Sequence, residues 1–163
     1  MEKPAELLAL ESILARCDGL DSFGILPHSR LEHWIYEQTP PNCVTFASTG
    51  GDGVHFSLAC DAQHTQLTGP VIMTVPMASE PNRVVGRNLH QFLGLGLHSG
   101  YFVLEQLQYD LDATCAALDR REYEQYLGSQ ELAALDAIRK ELDVRPWSDH
   151  RAELELLAHA FPI

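Results

Sequence analysis

The sequence predicts an α+β domain, an antiparallel β-meander packed with an N-terminal helix and the helices that follow, and extended by a helical C-terminal segment. Three observations lead there. Apolar residues recur at helical spacing near the N-terminus, alternate strictly between residues 43 and 60, and return to helical spacing from residue 88 onward. A glycine-rich turn joins the two alternating runs, which suits a hairpin rather than a βαβ crossover. At 163 residues the chain has the length of one domain that needs neither disulfide nor metal to hold a core. Residues 1–109 read as the core and residues 110–163 as a helical extension of the same domain.

The first helix is expected over 4–17. Pro4 suits a first-turn position, Leu7, Leu10 and Leu14 share one face, and Gly19 supplies a stop. A loop through Gly24 leads to Leu26-Pro27. Leu31, Trp34 and Ile35 then predict a short helix ending before Pro40-Pro41.

From Cys43 the period is two. Val44 and Phe46 flank Thr45, and Val54, Phe56, Leu58 and Cys60 alternate with His55, Ser57 and Ala59. This pattern predicts two paired strands with one covered face and one wetter face. Between them, Gly50, Gly51 and Gly53 with Asp52 provide the positive-φ positions of a tight turn. A third strand over 71–75 is almost wholly apolar, as expected for a strand covered on both sides.

After a loop around 78–81, Leu89, Phe92, Leu93 and Leu97 mark a helix with Asn88 as its cap. Residues 101–107 fit either a strand or a helical turn, and the turn is preferred. Leu111, Cys115 and Leu118 form a helical stripe. A helix entered at Ser129 carries Leu132, Leu135, Ile138 and Leu142, and one beginning near Ser148 carries Leu154, Leu157, Ala158 and Phe161.

The charge balance narrows the function. Eleven Lys and Arg against 23 Asp and Glu give a formal net charge of -12. Nucleic acids and anionic membranes are disfavoured as direct partners, because phosphate binding needs a basic patch. A cationic protein partner is favoured. The N-terminus lacks the layout of a signal peptide, and Cys17, Cys43, Cys60 and Cys115 are scattered among apolar neighbours without a CxxC pair. The expectation is a cytoplasmic protein with reduced, buried thiols.

No motif points to catalysis. The Gly50–Gly53 cluster is followed by no Lys-Ser/Thr and opens no helix, so it is a turn rather than a phosphate loop. The eight histidines show no HExxH or comparable spacing, and neither a metal nor another cofactor is expected. A small hydrolase built from Asp52, His55 and Cys60 is the one enzymatic alternative. It is disfavoured because Cys60 continues the buried face, where a thiol is inert.

The run Phe46-Ala47-Ser48-Thr49-Gly50-Gly51-Asp52-Gly53-Val54-His55-Phe56, preceded by Leu26-Pro27, resembles the SUKH superfamily. Val71-Ile72-Met73-Thr74-Val75-Pro76 and Val84-Val85-Gly86-Arg87-Asn88-Leu89-His90-Gln91-Phe92-Leu93 extend the resemblance over about residues 25–107. It implies an α+β fold and a role like that of bacterial immunity proteins, which bind and neutralise a toxin domain, often a nuclease or deaminase. It implies no catalytic residue. Together with the acidity, it leads to a non-enzymatic domain binding a cationic partner. The polar sheet face and hairpin would supply the contacts, through Asp52, His55 and Ser57 with Asp61, and Tyr36 and Trp34 are the candidate aromatic anchors, a core position being the favoured alternative for Trp34. The alternative on the same fold is a housekeeping scaffold with no toxin partner.

Overall fold

The computed structural model describes residues 1–33 and 35–163. Its element order is α1 (Ala5–Ala15), β1 (Leu26–His33), β2 (Cys43–Ser48), β3 (His55–Cys60), β4 (Leu67–Thr74), β5 (Asn82–Gly86), α2 (Leu89–Leu95), a 3-10 helix (Phe102–Gln108), α3 (Leu111–Asp119), a second 3-10 helix (Glu122–Tyr126), α4 (Ser129–Glu141) and α5 (His150–Ala160). The fold is α+β, and the strands form one antiparallel sheet in the order β1-β2-β3-β4-β5. Each strand pairs with its neighbour in sequence, as in a meander.

One sheet face carries Val44, Phe46, Phe56, Val71, Met73 and Val85 into the main core against Leu7, Leu10 and Ile13 of α1 and Phe92 of α2. Phe92 lies 4.7 Å from Phe56 and 5.3 Å from Tyr101, ring centre to ring centre. The buried Tyr101 hydroxyl donates to Leu93 O at 2.7 Å, which satisfies its polar end. Asn88 caps α2 by accepting from Gln91 N, and Asp110 and Asp149 cap α3 and α5 in the same way.

Residues 110–163 share this core through Cys115, Leu118, Ala134, Leu135, Ile138 and Leu154. Helix α5 also reaches the opposite sheet face. There Leu157 joins Cys43, Ile72 and Val84, flanked by Ala59, Trp147 and Phe161. The C-terminal helices therefore cover the sheet rather than standing apart.

Both edges of the sheet differ from the sequence expectation. The helix expected from Leu31, Trp34 and Ile35 and ending before Pro40-Pro41 is replaced up to His33 by β1, an edge strand whose register with β2 shifts between Pro27 and Glu32. An edge strand is wet on most sides, so its apolar spacing need not follow the two-residue period, and the bulge disrupts the period further. Strand β5 follows the loop expected around 78–81 and has no counterpart in the sequence expectation, because five residues leave too few alternations to register as a strand.

Candidate interaction surface

The expected wetter sheet face is not wet. His55 and Ser57 are 1% and 0% exposed, and Thr45 and Thr74 are 0% exposed. The alternation separated two faces correctly, yet the second face is buried, partly under Leu157 of α5 at Cys43, Ile72 and Val84 and partly through polar pairing. Thr45 Oγ1 and Ser57 Oγ are 2.8 Å apart, and Thr74 Oγ1 donates to Asn82 Oδ1 at 2.7 Å. Asn82 Nδ2 in turn donates to Gln38 O at 2.9 Å, fastening the 35–42 segment over the sheet.

His55 is the second fastening. Gly53 O, 2.8 Å from Nδ1, can only accept, so Nδ1 carries the proton. Nε2 then accepts from Thr39 Oγ1 at 2.9 Å, while Thr39 Oγ1 accepts from Tyr36 N at 3.1 Å. The Tyr36 ring stacks on the imidazole at 5.6 Å with an interplanar angle of 18°. Burial is the main reason the His55 pKa lies below the usual histidine range. The Gly53 carbonyl opposes that shift and His28 reinforces it. His55 is thus a neutral strut between the covering segment and the hairpin, and Ser57 is locked to Thr45. Neither presents a side chain to a partner on this face.

Asp61 lies at the far end of β3 from His55. Its carboxylate accepts from Thr65 N, Thr65 Oγ1 and Gln66 N, and these bonds, the Thr65 hydroxyl first, hold it below the usual carboxylate range. It organises the β3–β4 turn. Cys60 sits beside it, its thiol pushed up by burial and then by the Asp61 charge. Cys43 is pushed up to about 12, chiefly by burial. Asp52, His55 and Cys60 are not brought together, since His55 and Cys60 occupy opposite ends of β3 and both imidazole nitrogens are engaged. Trp34 lies outside the described residues.

The structure does assemble a surface at the hairpin tip. Thr49 N donates to Val54 O and Val54 N donates to Gly51 O, closing the turn. Gly50 and Gly53 have φ of 88° and 72°, and Asp52 also takes the left-handed region at 49°. Three large side chains rest on this turn. Leu26 approaches to 2.9 Å of where a Gly50 Cβ would stand, Phe102 to 3.2 Å at Gly51, and Tyr36 to 2.8 Å at Gly53. Leu26, Tyr36 and Phe102 nevertheless remain 39%, 43% and 38% exposed. Side chains three apart eclipse in a 3-10 helix, so Glu105 shares the Phe102 face. Burial, and then the Asp52 charge, raise the Glu105 carboxyl pKa, against a weaker lowering by the Gln106 amide. A groove of about 330 Å³ beside the tip is lined by His28, Ile35, Tyr36, Ser48, Asp52 and His55, among others.

Leu26, Phe102 and Glu105 were not identified from sequence. The one available signal was the glycine cluster, which permits the close approach of large side chains from elsewhere, but it does not say which ones. Comparison with protein-family models and with curated proteins finds no match to this sequence. Among the described residues no group of three or more His, Cys, Asp or Glu is arranged to hold a metal, and no helix is long and apolar enough to cross a membrane.

Proposed function

We propose that this chain is a non-enzymatic protein-binding domain that docks a cationic partner through the hairpin tip. The observation that carries this reading is the ring of Leu26, Tyr36 and Phe102, each half-exposed and each seated on a glycine of a turn that bears Asp52. Exposed aromatic anchors on a rigid support are what interface hot spots are made of. Asp52 and the neighbouring Glu105 add negative charge beside two aromatic faces, a combination that attracts lysine and arginine side chains. The net charge of -12 extends that attraction to long range.

The finer reading is an immunity protein that neutralises a toxin domain of the nuclease or deaminase kind, acting in the cytoplasm. It is supported by the SUKH resemblance and by the fit between an acidic inhibitor and a basic, nucleic-acid-handling target. The test is capture from a lysate of the native host by the wild-type chain and by Asp52→Lys and Phe102→Ala variants, followed by co-expression of whatever is captured. A basic protein that is held by the wild type, lost by both variants and toxic without this chain is the expected result. A captured protein indifferent to both substitutions overturns the surface. One that is bound through the tip but harmless when expressed alone favours the scaffold role over immunity.

A further inference from the structure

A second cleft lies away from the hairpin, between the start of α2, the 143–148 linker and the start of α5, with a volume of about 460 Å³. It is lined by two cations, Arg87 and Arg145, and two carboxylates, Asp143 and Glu153, with Trp147 along one wall. Elsewhere most cations are paired, Lys3 with Glu11, Arg16 with Glu141, Lys140 with Asp136, and Arg151 with Asp112 and Glu155, although Arg83 turns to the Gln108 amide and Arg30 forms no ion pair among the described residues. Among the described residues, the four charges around this cleft form no ion pair within 4.0 Å, with one another or with anything else.

Gln91 explains how two of them are held apart. Its Oε1 accepts from Arg87 N at 2.8 Å and from Arg87 Nε at 3.3 Å, while its Nε2 donates to Glu153 Oε2 at 3.0 Å. A neutral amide thus stands between a guanidinium and a carboxylate and orients both. The walls are fixed as well. Trp147 Nε1 donates to Gln91 O at 2.8 Å, His90 Nε2 donates to Asp143 O at 2.9 Å, and the Arg145 carbonyl presses onto the Gly94 position, where a side chain would not fit. Gln91 thus presets the Arg87 and Glu153 side chains for a ligand, which lowers the cost of ordering those two groups on binding, while Asp143 and Arg145 project from a linker whose backbone is fixed.

The signs define the ligand. A simple anion would meet two carboxylates and the field of a molecule with net charge -12, and a simple cation would meet two guanidinium groups. A molecule carrying both signs a few bonds apart is complementary to the lining and indifferent to the overall field. We propose that this cleft binds a small zwitterion, an α-amino acid or the paired ends of a short peptide, with its carboxylate on Arg87 and Arg145 and its ammonium on Glu153 and Asp143. Guanidinium groups hold carboxylates through paired, charge-assisted hydrogen bonds, and the Trp147 wall is available to an apolar side chain.

The experiment is a titration of the ¹⁵N-labelled full chain with each of the common α-amino acids and with dialanine, read at the Trp147 indole N–H and repeated by calorimetry. For the best binder, the N-acetylated and C-amidated forms remove one charge each. The expected result is saturable binding by at least one zwitterion, weakened about tenfold or more by either blocking group and by either Arg87→Gln or Arg145→Gln, with Arg30→Gln as an unaffected control. Tighter binding of dialanine than of free amino acids assigns the site to peptides, and the reverse assigns it to free amino acids. No saturable shift with any probe, equal binding of a blocked form, or binding that persists in the Arg87→Gln/Arg145→Gln double variant overturns the proposal.

Discussion

The two faces of the sheet are buried to the same degree, one by apolar packing alone and the other by a mixture of hydrogen bonds and an apolar patch under α5. Toward α1 and α2, Phe46, Phe56, Met73 and Val85 pack into a dry aromatic and aliphatic core. On the other face, Thr45, His55, Ser57 and Thr74 are just as inaccessible, but each is satisfied by a neighbour rather than by apolar contact. The lesson is that period-two alternation reports which residues share a face and says nothing about whether the polar face meets water. Its hydroxyls and imidazole are closed by hydrogen-bond partners from residues 36–39 and from Asn82, beside an apolar patch of Cys43, Ile72 and Val84 that Leu157 of α5 covers.

That contrast can be broken from either side. The largest effect is expected on the apolar face. Phe56→Ala should cost about 3–5 kcal/mol in a urea melt, because Phe46 and Phe92 cannot close the cavity it leaves. The polar face should lose less and respond differently. Thr45→Val strands the Ser57 hydroxyl and should cost about 1–3 kcal/mol, whereas Thr45→Val with Ser57→Ala should recover most of that loss. Additive losses in this pair would show that the hydroxyls do not rely on each other.

Gly53→Ala probes the junction of the covering segment and the hairpin. A Cβ there is strained at φ 72° and meets the Tyr36 ring, so about 1–2 kcal/mol should be lost and the Tyr36 resonances should shift. The smallest effect is expected from acid. The folded-state pKa of His55 lies below its unfolded value of about 6.5, so the unfolded chain binds the proton first as the pH falls. The stability contributed by neutral His55 is therefore complete above that value and is lost as the pH drops toward the folded pKa. His98, also lowered chiefly by burial, adds the same sign. Chemical-denaturation midpoints should decline from pH 7 to pH 5.5, and decline less in His55→Gln. An equal decline in that variant would assign the slope to other groups.

The interior of this fold was legible in the sequence and its edges were not. Helix α1, the β2–β3 hairpin, the doubly covered β4 and the capped α2 all follow from period, glycine placement and Asn88, since local pattern and tertiary environment agree there. Strands β1 and β5 escaped because one is wet and bulged and the other is short. The candidate site was half legible for a related reason. Asp52 sits in the turn itself and Tyr36 stands out by residue type, whereas the approach of Tyr36, Leu26, Phe102 and Glu105 to the turn comes only from tertiary packing. His55 and Ser57 were assigned to the surface because their type was read without their partners.

The central claim is that the acidic, apolar-ringed hairpin tip draws in a cationic macromolecule. The measurement that bears on it most directly is the dissociation constant of the captured partner across a series of salt concentrations, for the wild type and for Asp52→Lys. Affinity that falls steeply with salt for the wild type, and is weaker and nearly flat for the variant, is the predicted result. Affinity that ignores both salt and the Asp52 charge would contradict it.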